Sequence, residues 1–273
     1  MTMKLPNSRR NLDLAIQREF GDTYLRVRTI MANAIVAQML PTGAVKGGSA
    51  IKLRFGNADT RFSNDLDTVQ GESIKVFIDA LEYELDKGWN GFTGHILAKP
   101  PAKPKGVPAQ YVMQPFEVKL SYNGKPWLTV ILEVGHNEIG DADEPDWGIA
   151  PDIIDIFKRL GFPAPGPAPL MQLRHQVAQK LHGLSEPGSK RAHDLIDLQR
   201  ILSEESISYK ELRATCSQLF AYRNMQVWPP VIVKGEDWDE RYEDQIERLP
   251  VLESVDDAIV WANELIVRID SVK

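Results

Sequence analysis

The sequence predicts a mixed α/β (α+β) fold in the amino-terminal part of the chain, with a helical carboxy-terminal domain behind it. Three observations carry this. Strand-like and helix-like stretches alternate up to residue 161, the run Phe-Pro-Ala-Pro-Gly-Pro-Ala-Pro fills 162–169, and apolar residues beyond it recur at helical spacing. The expected layout is a site-bearing domain over 1–161, a Pro/Gly linker over 162–169 and a helical domain over 170–273. A chain of 273 residues can bury one large core or two small ones.

The elements follow in order. Asp13 to Leu40 carries Leu14, Phe20, Tyr24, Leu25, Ile30, Ile35 and Leu40 at helical spacing and stops at Pro41-Thr42-Gly43, which predicts one or two helices. Ala44-Val45-Lys46 is a short strand, Gly47-Gly48-Ser49 a glycine turn, and Ala50 to Phe55 a helix closed by Gly56. Thr60 to Val69 reads as the next strand, and Glu72 to Lys87 as a helix with Ile74, Phe77, Ile78, Leu81 and Leu85 on one face. Lys99 to Pro108 holds too many prolines for a helix or central strand and is a basic loop. Phe116–Tyr122 and Trp127–Val134 flank Asn123-Gly124, a hairpin signal, with Lys125-Pro126 expected to lengthen the connection. Leu170–Leu202, Tyr209–Phe220 and Val255–Ile269 read as helical, and no internal repeat is visible.

Composition bounds the function classes. Hydrophobic residues at 43% and charged residues at 26% exclude a disordered chain, collagen or a coiled coil. The net charge of −6 excludes an overall basic coat, so any polyanion must meet a local patch. Charge is uneven: residues 1–60 hold nine Lys or Arg against four acids, 131–155 hold eight acids and no base, and 236–257 hold ten acids against Arg241 and Arg248. Acidic runs of this kind ordinarily face water. Cys216 is the only cysteine, which rules out an intramolecular disulfide and fits a reducing compartment. The most apolar stretch, Ile30 to Leu40, is too short to span a bilayer, and no secretory h-region follows the first basic residues. The expected location is the cytoplasm, with no membrane partner.

The chemistry centres on the glycine turn and on two aspartates. Gly47 and Gly48 let the backbone approach a ligand, and the helix that follows presents free N–H groups suited to a phosphate. In Arg61-Phe-Ser-Asn-Asp-Leu-Asp67, Asp65 and Asp67 are two apart, so on a strand both carboxylates project from one face. Two such charges repel unless they share a cation, and a hard divalent ion with oxygen ligands resolves the conflict. Ser63 would lie on the same face.

Lys46-Gly-Gly-Ser-Ala-Ile-Lys-Leu-Arg-Phe-Gly followed by Arg61-Phe-Ser-Asn-Asp-Leu-Asp resembles the AbiEii/AbiGii (MenT-like) toxins of the DNA polymerase β-like nucleotidyltransferase superfamily. A second anchor lies at Lys180 on a helix and at Asp194-Leu-Ile-Asp197-Leu, where the family carries a pattern like R-D-x-x-D-L; here His193 takes the arginine position and Arg191 lies further ahead. The resemblance implies a polymerase β-like mixed sheet with flanking helices, and Mg2+-dependent transfer of NMP from an NTP to an acceptor, the 3′ end of tRNA. It implies Asp65 and Asp67 as Mg2+ ligands and catalytic residues together with Lys180 and Asp194. Gly48, Ser49, Ser63 and Lys180 would bind the NTP in a cleft between the domains, and Glu133 is the first candidate for a third carboxylate, with Glu117 behind it. The implied partner is an AbiEi-type antitoxin, and Lys99, Lys103 and Lys105 would help receive RNA.

Asp194 and Asp197 are helix neighbours that need a base or metal between them, and Asp197 is expected to pair with Arg191 or Arg200. His175, His182 and His193 lack zinc-site spacing, no G-x-S-x-G elbow or Walker loop is present, and Cys216 lies among apolar helical neighbours. Two other readings stand beside the toxin: an aminoglycoside-type small-molecule nucleotidyltransferase, and a protein that only binds nucleotide or a partner.

Overall fold

The computed structural model describes residues 4–71, 73–102 and 112–272. The chain divides into two compact units, one of residues 1–58 with 62–171 and one of residues 59–61 with 172–273.

Among the described residues, the first unit is built on a seven-stranded mixed sheet. Its strands are β1 (Ala44–Lys46), β2 (Leu66–Gln70), β3 (Phe92–Ala98), β4 (Gln114–Tyr122), β5 (Lys125–His136), β6 (Asp146–Gly148) and β7 (Ala168–Leu170), in spatial order β3-β4-β5-β2-β1-β7-β6. β2 pairs parallel with β5 and antiparallel with β1, and β1 pairs parallel with β7. The helices are α1 (Arg9–Phe20), α2 (Tyr24–Ala37), α3 (Gly47–Phe55), α4 (Ile74–Lys87) and α5 (Pro151–Arg159). Central strand β2 is short and buried along most of its length, as a strand covered on both faces requires.

Local sequence explains most of these elements. Ser73 caps α4 by accepting from the Val76 amide, Gly88 ends it at φ +69°, and Phe77, Leu81 and Leu85 make its buried face. Asn123 and Gly124 both take positive φ and join Tyr122 directly to Lys125, so the hairpin turn is two residues long. The longer connection expected from Lys125-Pro126 is thereby corrected: Pro126 sits inside β5, beside a register shift between Leu120 and Ser121 that accommodates its missing N–H.

Three differences from the sequence reading bear on the site. Residues 61–65 are not strand; β2 begins only at Leu66. The segment expected as a linker is packed into the first unit, with Phe162 buried against Phe92 at 5.4 Å between ring centroids and Ala168–Leu170 paired as β7. The helical stretch from Leu170 to Leu202 is two helices, α6 (Leu173–Leu184) and α7 (His193–Glu204), separated by a turn through Pro187 and Gly188.

The second unit is helical: α6 and α7, then α8 (Tyr209–Arg223), α9 (Trp238–Ile246) and α10 (Val255–Asp270). Ser208 and Ser254 cap α8 and α10 through the amides of Glu211 and Asp257. Trp238 and Tyr242, one turn apart on α9, are buried, while the acids of the same helix face outward. That is the solvated helix face expected of the 236–257 run. Cys216 is buried, and burial pushes its thiol up to about 12, so it is no nucleophile at neutral pH.

Candidate active site

The turn between β1 and α3 sets the first half of the site. Gly47 takes φ +64°, and a Cβ placed on it would stand 2.3 Å from Asp67 Oδ2, so only glycine lets the Asp67 carboxylate lie against this backbone. No side chain caps the first turn of α3, and its leading amides, at Gly47, Gly48 and Ser49, have the polarity of an anion site. Replacing Gly47 by Ala is expected to displace Asp67 and cost about 100-fold in turnover, a loss typical of misplacing a reacting group by about 1 Å. Steady-state rates on a variant with unchanged melting temperature check this.

Ser49 is buried, and its hydroxyl donates to the Asp65 carbonyl while accepting from Asn33 Nδ2 at 3.4 Å. Its side chain thus holds the backbone of a proposed metal ligand, leaving its amide for phosphate. Because Asp65 lies just ahead of β2, strand alternation does not place it or Ser63; polar anchors do. Lys52 Nζ reaches the Ser63 carbonyl at 3.5 Å and lies 4.9 Å from the Phe62 ring centroid.

Across the sheet, Asp67 is the register partner of Glu133 on β5. Burial raises the pKa of Glu133, the like charges of Asp67 and Asp65 raise it further, and Lys46 opposes them; Asp65 is raised by burial. Glu117 instead ion-pairs with Lys119 at 2.7 Å and Lys99 at 3.0 Å, and those hydrogen bonds hold its carboxyl below the usual range. The like-charge environment and all-oxygen donors fit a hard cation, with Asp65 and Asp67 as the pair that would hold it. Among the described residues, no three His, Cys, Asp or Glu side chains already stand gathered as a metal cluster.

Lys180 and Asp194 lie in the second unit, in a buried ion network. Lys180 Nζ stands 2.8 Å from Asp194 Oδ1 and 2.7 Å from Asp197 Oδ2; Asp194 and Lys180 are 0% and 3% exposed. The base required between the two aspartates is therefore Lys180. Asp197 does not pair with Arg191 or Arg200 as expected: Arg61 takes it through Nε and one terminal nitrogen, both at 2.9 Å. Arg191 takes Asp194 at 2.6 Å, and Arg200 takes Glu204 and the Asp59 carbonyl. Burial alone would raise both aspartates, but Arg191 and Lys180 hold Asp194, and Arg61 and Lys180 hold Asp197, below the ordinary range. Arg61 is the residue here to which sequence reasoning gave no role; its position in Arg61-Phe-Ser-Asn-Asp-Leu-Asp was the available signal.

A family model described as nucleotidyl transferase AbiEii toxin, type IV toxin–antitoxin system, matches residues 30–262. The chain belongs to the AbiEii family. Its members are nucleotidyltransferase toxins, so an NTP substrate and an antitoxin partner come with the membership, and enzymes of this kind generally use divalent metal ions. Among solved structures, the AbiEii chain is similar to MenT4, a nucleotidyltransferase toxin from Mycobacterium tuberculosis H37Rv, with 15% identity, 96% of this chain and 90% of that chain covered, and a TM-score of 0.61. This shows a shared fold. JHP933 from Helicobacter pylori matches at 16% identity, with 91% and 92% of the chains covered and a TM-score of 0.46. No curated relative matches by sequence. Among the described residues, no helix of this AbiEii protein is long and apolar enough to cross a membrane.

The second unit also sets a pH dependence of stability. Burial, aided by nearby arginines, lowers His182 and His193 to about 4. An unfolded histidine titrates at about 6.5, so between that pH and about 4 the unfolded chain takes up protons the fold refuses. Stability is expected to fall as pH drops through this window, and His182→Gln to flatten the fall. Urea midpoints at pH 7, 6, 5 and 4.5 measure both.

Proposed function

We propose that this AbiEii enzyme transfers NMP from an NTP, with Mg2+, to the 3′ end of tRNA in the cytoplasm, where both substrates are found, and that an AbiEi-type antitoxin counters it. The observation that supports the reading is the closeness of the Asp67 carboxylate to Gly47, which sets one of the two aspartates beside an uncapped helix start. One side offers oxygen ligands for a cation and the other offers amides for phosphate.

In the proposed reaction the acceptor hydroxyl oxygen bonds to the α-phosphorus, the bond from that phosphorus to the bridging oxygen breaks, pyrophosphate leaves with the electron pair, and the hydroxyl proton passes to water. Asp65 and Asp67, with Glu133 as third carboxylate, would hold Mg2+, which when bound neutralises charge developing on the phosphate oxygens. The amides of Gly48 and Ser49 would hold the triphosphate, and Ser63 would border it. In the arrangement found, Lys180 serves as counter-ion to Asp194 and Asp197, which take two of its three N–H donors, and a phosphate would take the third. The RNA backbone would meet the basic amino-terminal region and Lys99; Lys103 and Lys105 lie outside the described residues.

The test is incubation with each of four α-labelled NTPs, Mg2+ and total RNA or protein extract, with Asp65→Ala as control. Label on tRNA is expected. Label confined to protein or small molecules would overturn the acceptor, and label surviving in the variant would overturn the site.

A further inference from the structure

We propose that Lys46 is a further catalytic residue of this site, its ammonium contacting the phosphates that leave as pyrophosphate. Lys46 is the last residue of β1, directly ahead of the glycine turn. It is the register partner of Asp67, which is in turn the partner of Glu133, so the three occupy one row across adjacent strands.

The position of the ammonium follows from Gly135. A Cβ built on Gly135 would stand 3.0 Å from Lys46 Nζ and 3.6 Å from its Cε. Gly135 is two residues beyond Glu133 on β5 and shares its face. The Lys46 side chain therefore crosses β2 toward β5 on the Glu133 face, and the bare glycine leaves room for it. Its charge opposes those of Asp67 and Asp65 at Glu133, yet among the described residues it closes no ion pair with any of them. A lysine in this position is a point charge with three donors, suited to phosphate oxygens. The leaving pyrophosphate gains negative charge as the bond to the α-phosphorus breaks, and a fixed cation there acts most strongly in the transition state.

The proposal rests on the nucleotidyl-transfer reading, and its test separates the two. Transfer from the accepted α-labelled NTP is measured for wild type, Lys46→Met, Lys46→Arg and Gly135→Ala, together with inhibition by inorganic pyrophosphate. Calorimetric binding of pyrophosphate with Mg2+ is measured on the same proteins. Lys46→Met is expected to lower kcat about 100-fold and to weaken pyrophosphate about 10-fold, with Lys46→Arg recovering part of both and the melting temperature unchanged. Gly135→Ala, which presses on the ammonium without removing it, is expected to give an intermediate loss that vanishes in the Lys46→Met background. If Lys46→Met fails to fold, Lys46→Arg and Gly135→Ala carry the comparison. Wild-type kcat in the folded variants, or lowered kcat with unchanged pyrophosphate binding, overturns the role of Lys46. If the wild type labels no acceptor, the transfer reading fails, while the calorimetry still decides whether Lys46 binds the leaving group.

Discussion

Asp67→Asn is expected to reduce NMP transfer by about 1,000-fold or more, roughly 4 kcal/mol of transition-state stabilisation. Asn keeps the shape that fits against Gly47 and removes only the charge, so the loss reports cation binding rather than packing. Stability is expected to hold or rise slightly, because the change removes one of the like charges that raise Glu133. Asp65→Asn acts in the same direction. Single-turnover rates with excess enzyme, beside urea unfolding, separate the effects. Activity within tenfold of wild type in a folded Asp67→Asn protein would remove Asp67 from the site.

The largest effect on stability is expected from Lys180→Met. Lys180 neutralises two carboxylates that are nearly inaccessible to solvent, and removing one partner of a buried ion network leaves charge without compensation. Such changes cost about 3–5 kcal/mol. Adding Asp194→Asn to Lys180→Met is expected to restore part of the loss, since Arg61 still pairs with Asp197. Urea unfolding at pH 7 gives the values. The contrary result, a stable Lys180→Met protein with a raised KM for NTP, would make Lys180 a phosphate ligand whose ion pairs contribute little to stability.

Elements with local causes were legible in the residues alone. Gly47-Gly48 ahead of a short stretch closed by Gly56 marked the β1–α3 turn, Asn123-Gly124 marked the hairpin, and the 3.6-residue spacing of Phe77, Leu81 and Leu85 marked α4. The sequence also carried the family, because the glycine turn and the paired aspartates are short motifs. Weaker local signals failed. β3, β6 and β7 are held by neighbours rather than by pattern: β7 is three residues next to prolines, buried because β1 and β6 flank it. The prolines of 162–169 suggested a linker, yet Phe162 joins the aromatic core.

Which charges meet came from the fold. That Glu133 lies opposite Asp67 while Glu117 is taken by two lysines depends on the register of parallel strands joined by a long crossover, which no short window encodes. That Asp197 chooses Arg61 over the closer-numbered Arg191 and Arg200 depends on which side chains folding buries together. Periodicity places a residue on a face of its own element. Partners across elements are set by long-range packing, where a buried charge must find its counter-ion wherever in the chain that lies.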